Sequence, residues 1–136
     1  MGSLKGKLAL ITGAASGIGL STARLFAKQG ADLALCDLNQ NVNLIAKELS
    51  KQYVTSNIRV TSHLCDVSQS KSVNSLFEEI KNEHKNHPAP RIVVNSAGIA
   101  KPHNFIDIQE EEFDKIVAIN LKGIFFLLTS SIFIIS

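Results

Sequence analysis

Thr12-Gly13-Ala14-Ala15-Ser16-Gly17-Ile18-Gly19 is the stretch that decides the fold of this 136-residue chain. It follows an apolar run at residues 8–11 and opens a pattern of helical spacing that lasts to residue 29. A strand, a glycine-rich turn and a helix in this order are typical of a site that binds the pyrophosphate of a dinucleotide. An ordinary strand-to-helix turn that is rich in glycine is the alternative that this stretch leaves open.

The spacing of the glycines gives each of them a separate expected task. Gly13 turns the chain away from the strand, Gly17 lets the backbone approach a pyrophosphate, and Gly19 lets the helix pack tightly on the sheet. The N–H groups and the positive dipole end of the helix would then face the phosphates.

The overall composition is that of a soluble globular protein. Apolar residues make up 45% of the chain and charged residues 19%, with a net charge of +2. The length predicts a single domain, residues 1–136. No basic face or arginine cluster is present in the sequence, so we expect no nucleic-acid partner.

The cysteine content indicates the redox state of the cellular compartment, and the lengths of the apolar runs indicate whether a segment could span a membrane. Two cysteines without a secretory signal favour a reducing environment, so we expect a cytoplasmic or mitochondrial matrix protein that is not secreted. The apolar runs at residues 124–128 and 132–135 are separated by hydroxyl side chains, and neither approaches the ~20 residues that a membrane span needs. We therefore expect no membrane span.

Apolar runs predict buried strands at residues 8–11, 33–36, 58–65 and 91–94, with helical patterns between them. The first helix is expected to bury Ile18, Thr22, Leu25 and Phe26, and the second to bury Val42, Ile45, Ala46 and Leu49. The third helix, capped by Ser68, is expected to bury Val73, Leu76, Phe77 and Ile80. A helix that resumes near Glu110 is expected to turn Phe113, Ile116 and Val117 inward.

Strands that alternate with amphipathic helices form βαβ units, which place a parallel sheet between two layers of helices. We therefore predict an α/β fold, a Rossmann-type doubly wound parallel sheet. About four strands are present, which would be the N-terminal cofactor-binding part of that fold, incomplete at the C-terminus. The fourth strand would then be an apolar edge that invites pairing or aggregation.

One polar residue stands at the end of each predicted strand: Thr12, Asp37, Asp66 and Asn95. Ligands of open parallel sheets bind beyond these carboxyl ends. Asp37 follows Gly13 by 24 residues, about the offset at which a carboxylate accepts hydrogen bonds from the adenosine ribose. A carboxylate there repels a 2′-phosphate, and no basic residue stands beside it, which favours NAD over NADP. For Asp37 and Asp66, capping of the following helix is the alternative.

These motifs resemble the short-chain dehydrogenase/reductase family over residues 5–128. The stretch 12–19 is similar to its T-G-x-x-x-G-x-G signature, and Asn95-Ser96-Ala97-Gly98 is similar to its N-N-A-G motif. Asn120 resembles the family's helix asparagine. Residues 36–38, 93–94 and 117–123 are most similar to the branch of estradiol 17β-dehydrogenase 8 and 3-oxoacyl-carrier-protein reductase.

The resemblance implies a role for each matching residue. The pyrophosphate side of NAD would be held by Gly13, Ser16, Gly17, Ile18 and Gly19. Asp37 would hold the adenosine ribose, Asp66 and Val67 the adenine edge, and Asn95, Ala97 and Gly98 the nicotinamide side. Asn120 would be a catalytic residue whose backbone holds a water of the proton relay. Ser96 departs slightly from the motif, and we expect it to leave binding intact.

The family's chemistry uses a tyrosine as general acid/base, a lysine four residues later and a serine that orients the substrate. The one tyrosine of this sequence, Tyr53, has no lysine at that position and lies in a connection, so it is not the catalytic tyrosine. The resemblance therefore implies an oxidoreductase for a hydroxyl/ketone pair of a lipid-like substrate, a steroid or a 3-oxoacyl chain, whose Tyr-Lys part is missing here. A homo- or hetero-oligomer is expected for the full-length form. The alternative is a catalytically inactive dinucleotide-binding fragment or splice product that associates with full-length relatives.

Three further expectations concern the tail, the histidines and the cysteines. Residues 129–136 either leave the family's pattern near Thr129 or form a shortened link into a strand. The four histidines show no metal spacing, so we expect no metal, and His84 and His87 should lie in a solvated turn. Cys36 and Cys65 should be reduced, buried and side by side if the second and third strands are neighbours.

Overall fold

The computed structural model describes residues 2–135, in which four strands alternate with helices. The strands are β1 (Leu8–Thr12), β2 (Asp32–Asp37), β3 (Val60–Leu64) and β4 (Ile92–Asn95). The helices are α1 (Gly17–Lys28), α2 (Asn41–Gln52), α3 (Ser70–Glu83), α4 (Glu110–Val117) and α5 (Gly123–Ile135). A π-helical segment, Ala118–Lys122, joins α4 to α5. The end of the tail at residue 136 lies outside the described residues.

The strands form one parallel sheet in the order β3-β2-β1-β4. β1 is buried along its whole length between β2 and β4, as its unbroken apolar run predicts. Alternate residues of β1 face opposite sides: Ile11 packs in a core with α1 and α2, and Leu10 packs in a core with α3 and α5. This arrangement confirms the predicted Rossmann-type doubly wound sheet with four strands.

The predicted buried faces of α2 and α3 are confirmed residue by residue. The face predicted for α1 is wrong in part: Phe26 packs against the core, but Ile18 and Leu25 are exposed, and the fully buried residues of the helix are Gly19, Ala23 and Ala27. Small side chains let this helix lie close to the sheet, and a stripe of large side chains would hold it away. The inward position predicted for Phe113 is also wrong, since that side chain is exposed.

Two local predictions at helix ends also fail. Ser68 does not cap α3, because the N-cap is Gln69 and the Ser68 hydroxyl donates to the Asp66 carboxylate at 2.6 Å. The two histidines after α3 are not solvated as predicted, since His84 is 2% exposed and the His87 side chain 12%, although Lys85 and Asn86 between them are exposed.

The C-terminal residues continue a helix and do not form a link into a strand. Thr129 donates its hydroxyl to the carbonyl of Phe125 at 2.8 Å, and Ser131 donates to the carbonyl of Leu128 at 2.7 Å. Because both of these hydroxyls donate to carbonyl groups of the preceding turn, Thr129 and Ser131 lie within the helix. Residues Glu110–Ile132 therefore form one helical rod of 23 residues, in which an 18-residue window has a mean hydropathy of 1.5, so the rod is long and apolar enough to cross a membrane by length and composition alone.

Candidate functional site

A cavity of about 490 Å³ lies at the carboxyl ends of the four strands. Its wall contains most of the predicted cofactor residues: Gly13, Ser16, Gly17, Ile18, Asp37, Asp66, Val67, Ala97 and Gly98. The strand order brings these residues together from four separate connections of the chain. Gly19, Asn95 and Asn120, which were also predicted, are not among the residues of this wall.

The glycine-rich turn has the geometry that its sequence predicts. Gly13 has a φ of +66°, and a Cβ atom there would lie 2.7 Å from the carbonyl oxygen of Ser96, so a side chain fits neither the conformation nor the space. Gly19 packs against the turn itself, since a Cβ atom would lie 2.2 Å from the carbonyl oxygen of Gly13. A Cβ atom at Gly17 would meet nothing within 4 Å, which leaves open space at the start of α1.

The amino end of α1 lies at this space, since Ser16, Gly17 and Ile18 line the cavity. The helix begins at Gly17, and its N-cap Ser16 makes no side-chain hydrogen bond to the first turn. The first N–H groups of a helix have no partner within the helix, and its dipole makes this end positive. The turn is therefore suited to an anionic group.

Thr12 fixes the loop after β4 to the end of β1. Its fully buried hydroxyl oxygen accepts hydrogen bonds from the N–H groups of Ser96 at 3.2 Å and Ala97 at 3.1 Å. The hydroxyl hydrogen is directed to the carbonyl of Val94 at 3.4 Å. Sequence reasoning placed Thr12 at a strand end, but its role as the anchor of a second loop depends on β4 lying beside β1.

Asp37 joins the glycine-rich turn to the start of the next connection. One carboxylate oxygen accepts a hydrogen bond from the Ala15 N–H at 2.9 Å, and the other accepts one from the Asn39 N–H at 2.9 Å. Helix α2 starts later, at Asn41, so Asp37 does not cap it. A carboxylate has about four lone-pair sites, and the backbone uses two of them here, which leaves acceptor capacity for hydroxyl groups.

Asp66 is the centre of a small network after β3. Its carboxylate accepts from the Ser68 N–H at 3.0 Å as well as from the Ser68 hydroxyl, and its own N–H donates to the Ser72 hydroxyl oxygen at 3.0 Å. This network precedes and follows Val67 in the cavity wall, and a Cβ atom at Gly123 would lie 2.9 Å from a Val67 methyl group, so the space there admits only glycine.

Two asparagines shape the other side of the cavity. The side-chain oxygen of Asn95 is buried and has no hydrogen-bond partner among the described residues. Asn120 lies in the π-helical segment, accepts from the Ile99 N–H at 2.9 Å and donates to the Ile99 carbonyl at 2.9 Å. Its side chain therefore clamps the loop that carries Gly98, and π-helical turns are frequent at functional sites.

The cavity wall also contains residues that sequence reasoning did not assign to the site: Cys36, Leu38, Cys65, Ser96, Ile99 and Ile119. The cysteines are free and lie on neighbouring strand ends, which confirms their predicted arrangement. Burial and a hydrogen bond to its neighbour raise the pKa of the Cys36 thiol, with the hydrogen bond the larger cause. The sequence feature that could have placed the two cysteines in the site is that each directly precedes a strand-end aspartate.

The charged side chains of the described cavity wall are acidic. Asp37 and Asp66 belong to the described wall, and no lysine, arginine or histidine does. Tyr53 does not line the cavity, because it lies at the end of α2 and packs against the core between α2 and the sheet. Within residues 2–135, no group of three histidine, cysteine or acidic side chains is placed to hold a metal ion.

Comparison with known proteins gives a sequence match over almost the whole chain. Residues 7–133 match the sequence model of the family described as short chain dehydrogenase. The matched region includes Thr129, so the family pattern does not end where we expected it to end. Oxidoreductase UcpA of Salmonella typhimurium is 39% identical over 124 residues, which are 91% of this chain and 44% of the relative.

Two other similar proteins use different dinucleotides, according to their descriptions. The NAD-dependent glycerol dehydrogenase of Listeria innocua is 35% identical over 121 residues, 89% of this chain and 44% of that protein. L-sorbose reductase from Gluconobacter frateurii, solved with NADPH and L-sorbose, is 26% identical with a TM-score of 0.86, over 97% of this chain and 48% of that structure. The chain therefore spans about half the length of the relatives that it matches.

Proposed function

This chain belongs to the short-chain dehydrogenase/reductase family of oxidoreductases, and from that premise we propose that its cavity binds NAD(H). The observation that carries the proposal is the meeting of the glycine-rich turn, the start of α1 and Asp37 in one cavity. Bound NAD(H) would supply the hydride acceptor or donor for interconversion of a hydroxyl group and a ketone.

The residues of the cavity fit each part of such a cofactor. The open space at Gly17 and the free N–H groups of α1 suit a pyrophosphate. The spare lone pairs of Asp37 suit the ribose hydroxyls, and Asp66 with Val67 would hold the adenine edge. The unpartnered oxygen of Asn95 suits an amide donor, so Asn95, Ala97 and Gly98 would form the nicotinamide side.

We propose NAD over NADP because of the charge beside the ribose position. A 2′-phosphate at Asp37 would meet a carboxylate and find no basic side chain in the described cavity wall. The glycerol dehydrogenase described as NAD-dependent supports this preference by similarity, whereas L-sorbose reductase, which has a similar structure, was solved with NADPH.

The role proposed for Asn120 combines positioning with proton transfer. The oxygen and the nitrogen of its side chain both already form hydrogen bonds with the backbone of Ile99. Its backbone is therefore the part that remains to hold a water molecule, as the resemblance implies.

The substrate proposal rests on the resemblance to the branch of 3-oxoacyl-carrier-protein reductase and estradiol 17β-dehydrogenase 8. We propose a steroid or a 3-oxoacyl chain as the substrate class of the whole protein, a cytoplasmic or mitochondrial matrix location, and a homo- or hetero-oligomeric assembly. The apolar side chains exposed along α4 and α5 support an assembly.

A second candidate function is binding without turnover. Tyr53, the one tyrosine of the sequence, lies outside the cavity, so the described cavity has no tyrosine to act as general acid/base. We propose that the 136-residue chain alone binds NADH and does not reduce or oxidise a substrate.

Titration with NADH and NADPH by calorimetry tests the proposal. Replacement of Asp37 by alanine removes charge-assisted hydrogen bonds to the ribose, so we expect NADH affinity to fall about 10- to 100-fold. Asp37→Asn, which retains one acceptor oxygen, should bind NADPH better relative to NADH than the wild type does. Asp114→Asn on the exposed surface of α4 is the control and should change neither affinity. Unchanged NADH affinity in Asp37→Ala would show that the ribose assignment is wrong.

A further inference from the structure

Two thiols lie in the adenosine side of the cavity wall, and the binding of a dinucleotide requires neither of them. Cys36 is the penultimate residue of β2, and Cys65 directly follows β3. The Cys65 N–H donates to the carbonyl of Asp37 at 3.2 Å, which fixes Cys65 against the end of β2. Both residues line the cavity, with Cys36 fully buried and Cys65 4% exposed.

The surroundings of the two sulfur atoms differ. The Ser72 hydroxyl oxygen accepts a hydrogen bond from the Asp66 N–H, so its own hydrogen is free to donate to the Cys65 sulfur at 3.4 Å. Cys36 lies on the neighbouring strand and packs in the same apolar cluster as Cys65. The interaction with Cys36, together with the Ser72 hydroxyl, lowers the pKa of Cys65 although burial opposes it, whereas the interaction with Cys65 and burial raise the pKa of Cys36. Cys65 is therefore the better nucleophile, and Cys36 is its protonated neighbour.

We propose that Cys65 is an oxidation site for a hydroperoxide, open only while no dinucleotide fills the cavity, with Cys36 as the partner thiol. The exclusion by the dinucleotide rests on the proposed function; the reactivity of Cys65 does not. A cofactor that covers Asp37 and Asp66 would also cover Cys65, because Cys65 lines the same wall, directly precedes Asp66 and donates its N–H to the carbonyl of Asp37.

The chemistry balances with the peroxide as the oxidant. The Cys65 thiolate attacks one oxygen of hydrogen peroxide, the O–O bond breaks, and hydroxide leaves as Cys65 becomes a sulfenic acid; the proton that the Cys65 thiol released on ionisation converts the hydroxide to one water. The Cys36 sulfur then attacks the Cys65 sulfur, the S–O bond breaks, and a second water leaves with the proton of the Cys36 thiol. The two thiols are oxidised to a disulfide, and the peroxide is reduced to water.

Oxidation would change the cavity at the positions that contact the cofactor. Each cysteine is the direct neighbour of an aspartate that we assign to the adenosine half, Cys36 of Asp37 and Cys65 of Asp66. A new bond between the sulfur atoms would pull on both neighbours, so oxidation and dinucleotide binding should oppose each other, and the opposition must be reciprocal.

The first test compares the two cysteines one at a time in the full 136-residue chain. Cys36→Ser and Cys65→Ser are treated with hydrogen peroxide in the presence of dimedone, and the adducts are counted by mass spectrometry. We expect Cys65 in Cys36→Ser to be trapped about tenfold faster than Cys36 in Cys65→Ser. The additional change Ser72→Ala should slow trapping of Cys65 while the circular dichroism spectrum stays the same. Equal rates at both cysteines, or no effect of Ser72→Ala, would overturn the assignment of Cys65.

The second test separates this proposal from the proposed function. Wild-type chain is oxidised with and without saturating NADH, and calorimetry on the same sample reports whether NADH binds. We expect NADH to slow oxidation of Cys65 about tenfold, and the oxidised chain to lose NADH binding. If NADH binds but does not slow the oxidation of Cys65, the proposal that the dinucleotide excludes the peroxide from Cys65 is overturned. An absence of NADH binding would overturn the proposed function, and the first test would then decide the reactivity of Cys65 by itself.

Discussion

At the scale of single residues, a buried chain of side chains links β3 to the end of α3. The Thr61 hydroxyl lies 2.8 Å from Nε2 of His63 and 2.8 Å from Nε2 of His84, and Nδ1 of His63 lies 2.9 Å from the Glu79 carboxylate. The carboxylate accepts, so Nδ1 of His63 carries a hydrogen, and in neutral His63 the Nε2 atom accepts from Thr61. Thr61 then accepts from Nε2 of His84.

This arrangement leaves Nδ1 of His84 without a hydrogen. That atom is buried and has no partner among the described residues. Burial lowers the pKa of His84 from 6.5 to about 4, and the nearby Arg59, His63 and His87 lower it as well, while Asp32 opposes them. His84 is therefore neutral in the folded chain at physiological pH.

The sign of the resulting pH dependence follows from linkage. Below pH 6.5 the unfolded chain binds a proton at His84 that the folded chain does not bind until the pH nears 4. We therefore expect the free energy of unfolding to fall with acidification over this range, by at most about 1.4 kcal/mol per pH unit for this residue. Urea unfolding of the wild type and His84→Gln between pH 7.5 and 4.5 measures the difference.

The glutamine variant keeps a donor for Thr61 and cannot titrate, so its stability should fall less steeply with acidification. His103→Gln, at a half-exposed histidine outside the buried chain, is the matched control and should follow the wild type. If the free energies of unfolding of the wild type and of His84→Gln fall in parallel as the pH is lowered, the assignment of this pH dependence to His84 is refuted.

At the scale of elements, the site depends on the contact between β1 and the loop that follows β4. The loop has no helix or strand of its own at residues 96–98, and its two N–H groups rely on the buried Thr12 hydroxyl. The sheet order places this hydroxyl there, since Thr12 pairs with Asn95 across the parallel ladder.

Replacement of Thr12 by valine keeps the shape of the side chain and removes its oxygen. Two N–H groups then lose their acceptor, so we expect a loss of about 2 to 4 kcal/mol in the free energy of unfolding and weaker NADH binding. Thr12→Ser, which loses a methyl group and keeps the oxygen, should cost about 1 kcal/mol and retain binding. Chemical unfolding and calorimetry measure both effects; equal losses in the two variants would show that packing, not the hydroxyl, matters.

At the scale of the whole molecule, two apolar surfaces have no cover in the described chain. β4 forms the outer strand of the sheet, next to β1 alone. The α4–α5 rod exposes large apolar side chains at helical spacing: Phe113, Leu121, Phe125 and Leu128. Surfaces of this kind favour association between copies or with another chain.

We expect the chain to sediment as a species larger than 14.7 kDa at micromolar concentration. Leu121→Glu places a charge in the middle of the exposed face of the rod and should shift the sedimentation toward the monomer. Leu44→Glu on α2 is a matched control, because the two leucines are 67% and 65% exposed and Leu44 lies apart from the rod. A monomeric wild type, or the same behaviour in both variants, would contradict the prediction.

The sequence by itself determined the order of strands and helices, the parallel sheet and the glycine-rich turn. These features depend on local backbone geometry and on periodicity, which neighbouring residues carry. The buried faces of α2 and α3 were readable for the same reason. The resemblance to the family then identified nine of the 15 residues that line the cavity from their order along the chain.

Tertiary structure alone decided which side of α1 is buried, that His84 lies in the core, and that the Thr12 hydroxyl holds a loop more than 80 residues away. It also placed Cys65 against Asp37 and the Asn120 side chain on Ile99. Each of these contacts joins residues far apart in the sequence. Their energy comes from burial and hydrogen bonding that exist only after the sheet has assembled in the order β3-β2-β1-β4, and no local pattern encodes that order.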